Sequence, residues 1–427
     1  MQQILLFGAG KSATSLIRYL IREGANRHWE LLVADGNREL AQSKIGKADH
    51  ARAVGVMVED EQQRDSLIQN ADIVISLLPP ALHYFVALSC LRCKKHLLTA
   101  SYLDDRIRAL EPAIKENDLL FLCEMGLDPG IDHMSAMQLI HRIREKGGKI
   151  IRFRSHTGGL VSPVSDDNPW HYKISWNPRN VVMAGSAGAS YREDDKIISC
   201  RYESIFDHCD EVSLPDIGRL AWYPNRDSLS YIPLYGLEEA TTFIRTTLRY
   251  PAFCTAWKSI VAAGLTNDKD KLPSTPGLTF SQWAAPVGPY VDDHNREQLD
   301  FLGLFDDQPI PPAAATSADV LQYLLETRLA MRPGDKDMIV MLHEITYSTG
   351  NAPAQEVLSS LVVHGEDHLQ TAMARTVGLP LGIAAGLILE KKINLRGLHI
   401  PIVREIYDPV LEELAAEGIR FEERHGS

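Results

Sequence analysis

The chain has 427 residues, too many for one simple core, so two or three domains are expected. Hydrophobic residues at 45% and charged residues at 23% describe a folded globular protein and exclude a disordered or fibrous one. Lys+Arg 44 against Asp+Glu 56 gives a net charge of -12, so no nucleic acid and no anionic membrane is expected as partner, although a few arginines can still hold a small anion.

The chain opens directly on an apolar run at 2–7 with no charged prelude, so no secretory signal is read and a cytoplasmic location is expected. Strand-like runs follow at 30–34, 54–58, 72–77, 96–99 and 119–123, with helical patterns between them such as Leu16/Leu20 and Leu110/Ile114. This alternation predicts an α/β fold, a doubly wound Rossmann dinucleotide-binding domain over 1–129. Cys90 and Cys93 fall one turn apart in a helical stretch, and with six cysteines in all they read as reduced core thiols, not as a metal or redox site.

Beyond 130 the rhythm changes. A helix is expected over 131–145, with Met134, Met137, Ile140 and Ile143 on one side. Strands are expected at 149–155, 196–204, 338–347 and 356–364, and helical patterns at 238–263 and 317–331. Polar, Pro-containing segments at 266–275 and 308–316 read as surface loops. The region 130–374 is thus read as an inserted α+β substrate and dimerisation domain with a helical subdomain at about 238–335, and 375–427 as helices returning to the Rossmann domain. The most apolar late stretch, 382–389, is too short to span a bilayer, so no membrane association is expected.

Gly8-Ala9-Gly10-Lys11-Ser12-Ala13 follows the first strand in a G-x-G-x-x-A pattern. Gly8 permits the tight turn, Gly10 lets a pyrophosphate approach the backbone, and the small Ala13 lets helix pack on strand. Phosphate would sit on amides at the helix N-terminus. Asp35 closes the second strand, where a carboxylate can accept from adenosine ribose hydroxyls and repel an extra phosphate. NAD is therefore expected over NADP, with Arg38 close by as a reason for some NADP tolerance. A P-loop fails, because its first glycine would fall at Leu5.

Further motifs run in order along the chain. They are Ser76-Leu77-Leu78-Pro79 with His83, Thr99-Ala100-Ser101-Tyr102, and Glu124-Met125-Gly126-Leu127-Asp128-Pro129-Gly130-Ile131-Asp132-His133. Then come Gly158-Gly159-Leu160, Asp167-Asn168-Pro169, Tyr172-Lys173-Ile174-Ser175-Trp176, Tyr223-Pro224-Asn225-Arg226-Asp227-Ser228, Thr247-Leu248-Arg249-Tyr250 and Thr376-Val377-Gly378-Leu379-Pro380. The series resembles the saccharopine dehydrogenase (L-glutamate-forming) and saccharopine reductase family over nearly the whole chain. The resemblance implies cofactor contacts from Ala9, Gly10, Lys11 and Ser12, from Asp35, Gly36 and Asn37 at the ribose, and from Leu78, Ala100, Ser101, Leu127, Asp128 and Pro129 toward the nicotinamide. Asn177 stands where the family can place a serine against the cofactor. Substrate contacts are implied for Ser101, Tyr102, Asp128, Arg226, Thr247, Leu248 and Arg249, and a homodimer is implied, with an extended sheet as its contact.

The implied reaction is hydride transfer between NAD(H) and the C–N bond of saccharopine, interconverting it with aminoadipate semialdehyde and glutamate. A tricarboxylate needs cationic anchors in an acidic protein, and Arg226 and Arg249 suit bidentate binding. Asp128 and Tyr102 are the candidate proton carriers, though Asp128 could equally cap the helix that follows. Asp128, Asp132 and His133 lack a clear fourth ligand and the reaction needs no metal, so none is expected. His133 is expected to pack or hydrogen-bond between domains, His83 to be structural, and Trp170, Tyr172 and Trp176 to be core. The alternatives are a carboxynorspermidine-type dehydrogenase acting on another amine, for which acidic anchors would be expected, and a cofactor-binding regulator without turnover.

Overall fold

The computed structural model describes residues 1–273 and 277–425. They form two compact units, Met1–Glu145 with Leu369–Phe421, and Lys146–His368 with the segment from Glu422. The expected loop 266–275 thus ends, at Ser274 and Thr275, outside the described residues.

The first unit begins with β1 (Gln2–Phe7), β2 (Trp29–Asp35), β3 (Ala51–Gly55), β4 (Ile73–Ser76), β5 (His96–Thr99) and β6 (Leu120–Leu122). All four residues of β4 and all three of β6 are buried, as befits central parallel strands covered on both faces by helices. The expected strand 54–58 lies three residues earlier, at β3. The helix Ile131–Glu145 follows, with Met134, Met137, Ile140 and Ile143 all buried.

The second unit holds β7 (Gly148–Val161), β8 (Ala189–Glu193), β9 (Lys196–Cys200), β10 (Asp210–Leu214), β11 (Gly218–Pro224), β12 (Arg226–Asp227), β13 (Thr242–Arg249), β14 (Asp337–Thr349) and β15 (Gln355–His364). The reading of 238–263 as helical is corrected over β13. Thr242-Phe-Ile-Arg-Thr-Thr-Leu-Arg249 is rich in β-branched residues and buried on both faces, so it lacks the alternation that marks a half-exposed strand. Helix begins only at Pro251–Ala262, where Pro251 occupies the first turn. The strand expected over 196–204 stops at Cys200 and gives way to a 3-10 turn at Tyr202–Ser204.

Returning to the first unit, the chain forms the helix Ala372–Leu389, the short β16 (Gly397–His399) and the helix Arg404–Ala416, and then β17 (Glu422–His425) joins the second unit. The apolar stretch read as 382–389 is part of this 18-residue helix, which by length and composition could cross a membrane, yet most of it is buried inside the protein. Gly378, Gly382 and Gly386 let it pack tightly, since a Cβ at Gly382 would come within 2.7 Å of Tyr19 and one at Gly386 within 2.6 Å of Trp29.

The first sheet has seven strands in the order β16-β6-β5-β4-β1-β2-β3, every pair parallel. It is a Rossmann-type sheet with one more strand than the sequence suggests. Chain order reverses between β1 and β4, and in such sheets ligands gather beyond the carboxyl ends of the strands there. The second sheet has ten strands, with the path β10-β11-β13-β7-β14-β15-β17. Most of its pairs are antiparallel, but β7 and β13 run parallel, so the fold class is α/β joined to a mixed α+β unit.

Candidate active site

Beyond β1, Gly8 has φ +102, and a Cβ there would stand 2.6 Å from the Leu77 carbonyl oxygen, so only glycine fits. A Cβ on Gly10 would meet nothing within 4 Å, which leaves that backbone open to approach. The helix Ala13–Arg27 carries no acidic residue in its first turn, so its positive end is uncompensated. These features fit the phosphate cradle of a dinucleotide, with Lys11 exposed beside it.

Asp35 braces this loop. Its Oδ2 accepts from the Ala9 N–H (2.7 Å) and its Oδ1 from the Asn37 N–H (2.8 Å). Asn37 in turn caps the helix Arg38–Ile45 through Leu40 N–H, leaving Gly36 between two anchored residues. From that helix, Lys44 Nζ donates to the Gly10 carbonyl and to Thr14 Oγ1 (2.8 Å). Burial pushes the Lys44 ammonium down to about 8, against the pull of Asp35.

The other strand ends of this sheet carry Leu78 after β4, Ala100, Ser101 and Tyr102 after β5, and Leu127, Asp128 and Pro129 after β6. The Tyr102 hydroxyl donates to Asp128 Oδ1 at 3.0 Å. His83 bridges two serines, with Nδ1 at 2.8 Å from Ser76 Oγ and Nε2 at 2.8 Å from Ser101 Oγ. Burial pushes the His83 imidazole down to about 4, a little offset by Asp104.

Behind these loops, buried Glu124 accepts from Leu103 N–H (3.0 Å) and faces His133 Nε2 at 2.8 Å. The other His133 nitrogen lies 3.6 Å from Asp132, whose Oδ1 accepts from Gly130 N–H at 2.6 Å. Glu124 and Asp132 thus flank the His133 ring on its two nitrogen sides. Among the described residues no cluster of three or more His, Cys, Asp or Glu could hold a metal.

In the second unit, Thr247, Leu248 and Arg249 end β13. Leu248 points the opposite way from its neighbours, into an apolar cluster with Leu160, Trp222 and Ile244. Arg249 is 4% exposed, its guanidinium carbon 5.4 Å from the Tyr172 ring and 5.4 Å from that of Phe253. Its Nη1 donates to the Leu248 carbonyl (2.8 Å), while its buried Nε has no partner among the described residues. Arg226 is exposed and held at φ +53. Asn177 caps the helix Pro178–Val182, its side chain accepting from Arg179 N–H at 2.9 Å. Trp170 and Tyr172 are core, and Trp176 donates to the Tyr172 hydroxyl at 3.1 Å.

Two family models match consecutive parts of the chain. The saccharopine dehydrogenase NADP binding domain matches residues 4–122, and the saccharopine dehydrogenase C-terminal domain residues 126–419. The chain belongs to the saccharopine dehydrogenase family. Among relatives, a Saccharomyces cerevisiae protein named saccharopine dehydrogenase [NADP(+), L-glutamate-forming] is 32% identical over 99% of both chains. The Bos taurus mitochondrial alpha-aminoadipic semialdehyde synthase is 34% identical over 98% of this chain but only 47% of its own length. This family member thus spans about half of the synthases it matches. The apo structure of the histidine-tagged yeast saccharopine dehydrogenase (L-Glu forming) superimposes with a TM-score of 0.90 at 32% identity, covering 100% of each chain.

The family corrects the cofactor expectation. NAD was favoured because Asp35 would repel an extra phosphate, whereas the matching family model is an NADP binding domain and the yeast relative is named for NADP(+). The geometry explains the error. Both Asp35 oxygens are engaged by backbone amides, and Lys44 lies close enough to feel its charge, so the carboxylate is not a bare discriminator. The roles of Lys44 and Glu124 were not read from the sequence, and His83, expected to be structural, has serine partners that the sequence does not name. Spacing does not pair any of these side chains, and only tertiary contact reveals the partner of each.

Proposed function

We propose that this protein is an NADP(H)-dependent oxidoreductase acting on the C–N bond of saccharopine, interconverting saccharopine with aminoadipate semialdehyde and glutamate. The observation that carries this reading is the Tyr102–Asp128 hydrogen bond set on the same sheet edge as the Gly8–Ser12 loop, in a chain that aligns end to end with the yeast enzyme. The bound dinucleotide would supply or accept the hydride.

The chain's own residues would position and move protons. Ala9, Gly10, Lys11 and Ser12 would hold the pyrophosphate, with Asp35, Gly36 and Asn37 at the ribose and Arg38 as the exposed cation suited to an additional phosphate. Leu78, Ala100, Leu127 and Pro129 would line the nicotinamide. Asp128 would exchange a proton with the reacting nitrogen or the attacking water, and the Tyr102 hydroxyl would keep the carboxylate oriented. Arg226 and Arg249 would anchor carboxylates, and Ser101 and Thr247 would add polar contacts, whereas the Leu248 side chain is spent on the apolar cluster beneath β13. A homodimer belongs to the same reading and is checked by light scattering.

The test is the absorbance of reduced nicotinamide with saccharopine and either NADP or NAD. Saccharopine-dependent reduction that is faster with NADP is expected. Binding of NADPH without any saccharopine-dependent change would overturn the substrate, and a faster rate with NAD would overturn the cofactor.

A further inference from the structure

His83 is tied to two hydroxyls that differ in their surroundings. Ser76 ends the buried strand β4 and is wholly enclosed, and among the described residues its Oγ has one partner, His83 Nδ1 at 2.8 Å. Ser101 lies in the half-buried loop after β5, and its Oγ meets His83 Nε2 at 2.8 Å. The imidazole is 3% exposed and opens the helix His83–Cys93. Asp104 is the charged group that acts on it, and burial outweighs that pull, so the ring is neutral at physiological pH and carries one N–H.

One proton on the ring allows two arrangements. If Nδ1–H donated to Ser76, the Ser76 hydroxyl proton would be left in a packed interior without an acceptor. A buried donor without a partner is disfavoured by roughly 5- to 150-fold, whereas an oxygen lone pair left idle is tolerated more readily. The second arrangement avoids this. Ser76 O–H donates to Nδ1, the ring proton sits on Nε2, and Nε2–H donates to Ser101 Oγ. The Ser101 hydroxyl proton is then left to point at whatever binds beyond the loop.

We propose that His83 is a positioning residue that presets Ser101 as a hydrogen-bond donor toward a carboxylate or carboxamide oxygen of the bound ligands, and so against an ammonium group at that point. The proposal rests on the reading above in which Ser101 touches ligand. Two sources share the chemistry, a substrate carboxylate and the nicotinamide carboxamide. Ser101→Ala separates them: a raised KM for saccharopine indicates the first, and weakened NADPH binding the second.

The polarity is tested on the full chain labelled with 15N-histidine, the His83 signals being assigned by their loss in His83→Asn. Nitrogen shifts of a neutral ring protonated at Nε2, unchanged from pH 6 to 8, are expected, and Ser76→Ala should weaken that preference. A ring protonated at Nδ1, or at both nitrogens, overturns the proposal.

Kinetics give a second arm. The amide nitrogen of His83→Gln can stand near Nε2 and still donate to Ser101, whereas the shorter side chain of His83→Asn reaches only the Ser76 side. Gln should keep KM and NADPH affinity within about threefold, and Asn should lose about tenfold in one of them with kcat little changed. Equal losses in both variants would overturn the assignment. Absence of turnover in the unmodified protein would sink the saccharopine reading instead, and the nitrogen shifts would still decide the polarity of Ser101.

Discussion

Replacing Arg249 with methionine should make the protein more stable and less able to hold substrate. The guanidinium is 4% exposed, and the ionisable groups acting on it are Tyr223, Tyr172 and Cys254 rather than a carboxylate. Its buried Nε lacks a partner among the described residues, which costs about 1–3 kcal/mol, on top of the desolvation of the charge itself. Opposing this are the contacts with Tyr172 and Phe253, each worth about 0.5–2 kcal/mol. Methionine fills a similar volume without the charge and retains contact with both rings. The balance favours Arg249→Met by about 1–2 kcal/mol, a rise of about 2–8 °C in Tm for a unit of this size. On the substrate side, losing one charged hydrogen-bonded anchor of about 1.5–3 kcal/mol should raise KM for saccharopine roughly 10- to 150-fold. Thermal unfolding followed by circular dichroism and steady-state kinetics read the two halves separately. A lower Tm would refute the account of Arg249 as a buried, incompletely paired cation, and a KM within threefold of the original would refute its role as an anchor.

Asp128→Asn should lower kcat by about 100-fold or more while NADPH binding is retained, and Tyr102→Phe should have a smaller effect, measured by turnover and by fluorescence titration. Gly8→Ala should weaken dinucleotide binding and cost about 1–3 kcal/mol, because the new methyl group meets the Leu77 carbonyl at 2.6 Å in a left-handed backbone; denaturation midpoints check it. Burial lowers the Lys44 pKa to about 8 in the folded chain, from 10.5 for a free lysine side chain. Below pH 8 both folded and unfolded chains hold its proton. Between pH 8 and 10.5 the unfolded chain holds more, so this group's contribution to stability rises with pH. The difference in urea midpoint between the unmodified protein and Lys44→Met should therefore shift in favour of the former from pH 7.5 to 9.5, and a pH-independent difference would count against a half-buried Lys44 whose proton is weakly held in the folded chain.

The Rossmann unit was largely legible in the sequence because its strands are short, mostly apolar and separated by amphipathic helices. The helix Ile131–Glu145 matched its pattern because the spacing of Met134, Met137 and Ile140 is hard to mistake. β13 was misread because burial on both faces erases the period of two, and its threonines and isoleucine were the signal that should have been weighed. β16 has three residues, too few for any periodicity, and only pairing with β6 defines it. In the candidate site, the glycine loop carries its geometry in its spacing. The meaning of Asp35 depended on what held its oxygens, and the bridging of Ser76 and Ser101 by His83 exists only once β4 and β5 lie side by side.

The layout of the second sheet also bears on how this unit assembles. Its middle is made by β13, β7 and β14, and there His156 joins Thr246 across 90 positions and Glu344 across 188. No two of these strands are joined by a hairpin, so the ordering entropy of very long loops must be met before central pairings return any stability. During synthesis β7, fourteen residues long, emerges well before either neighbour and presents two unpaired edges in the meantime. Slow refolding of this unit, with aggregation that begins at β7, is the kinetic signature of such an order of assembly.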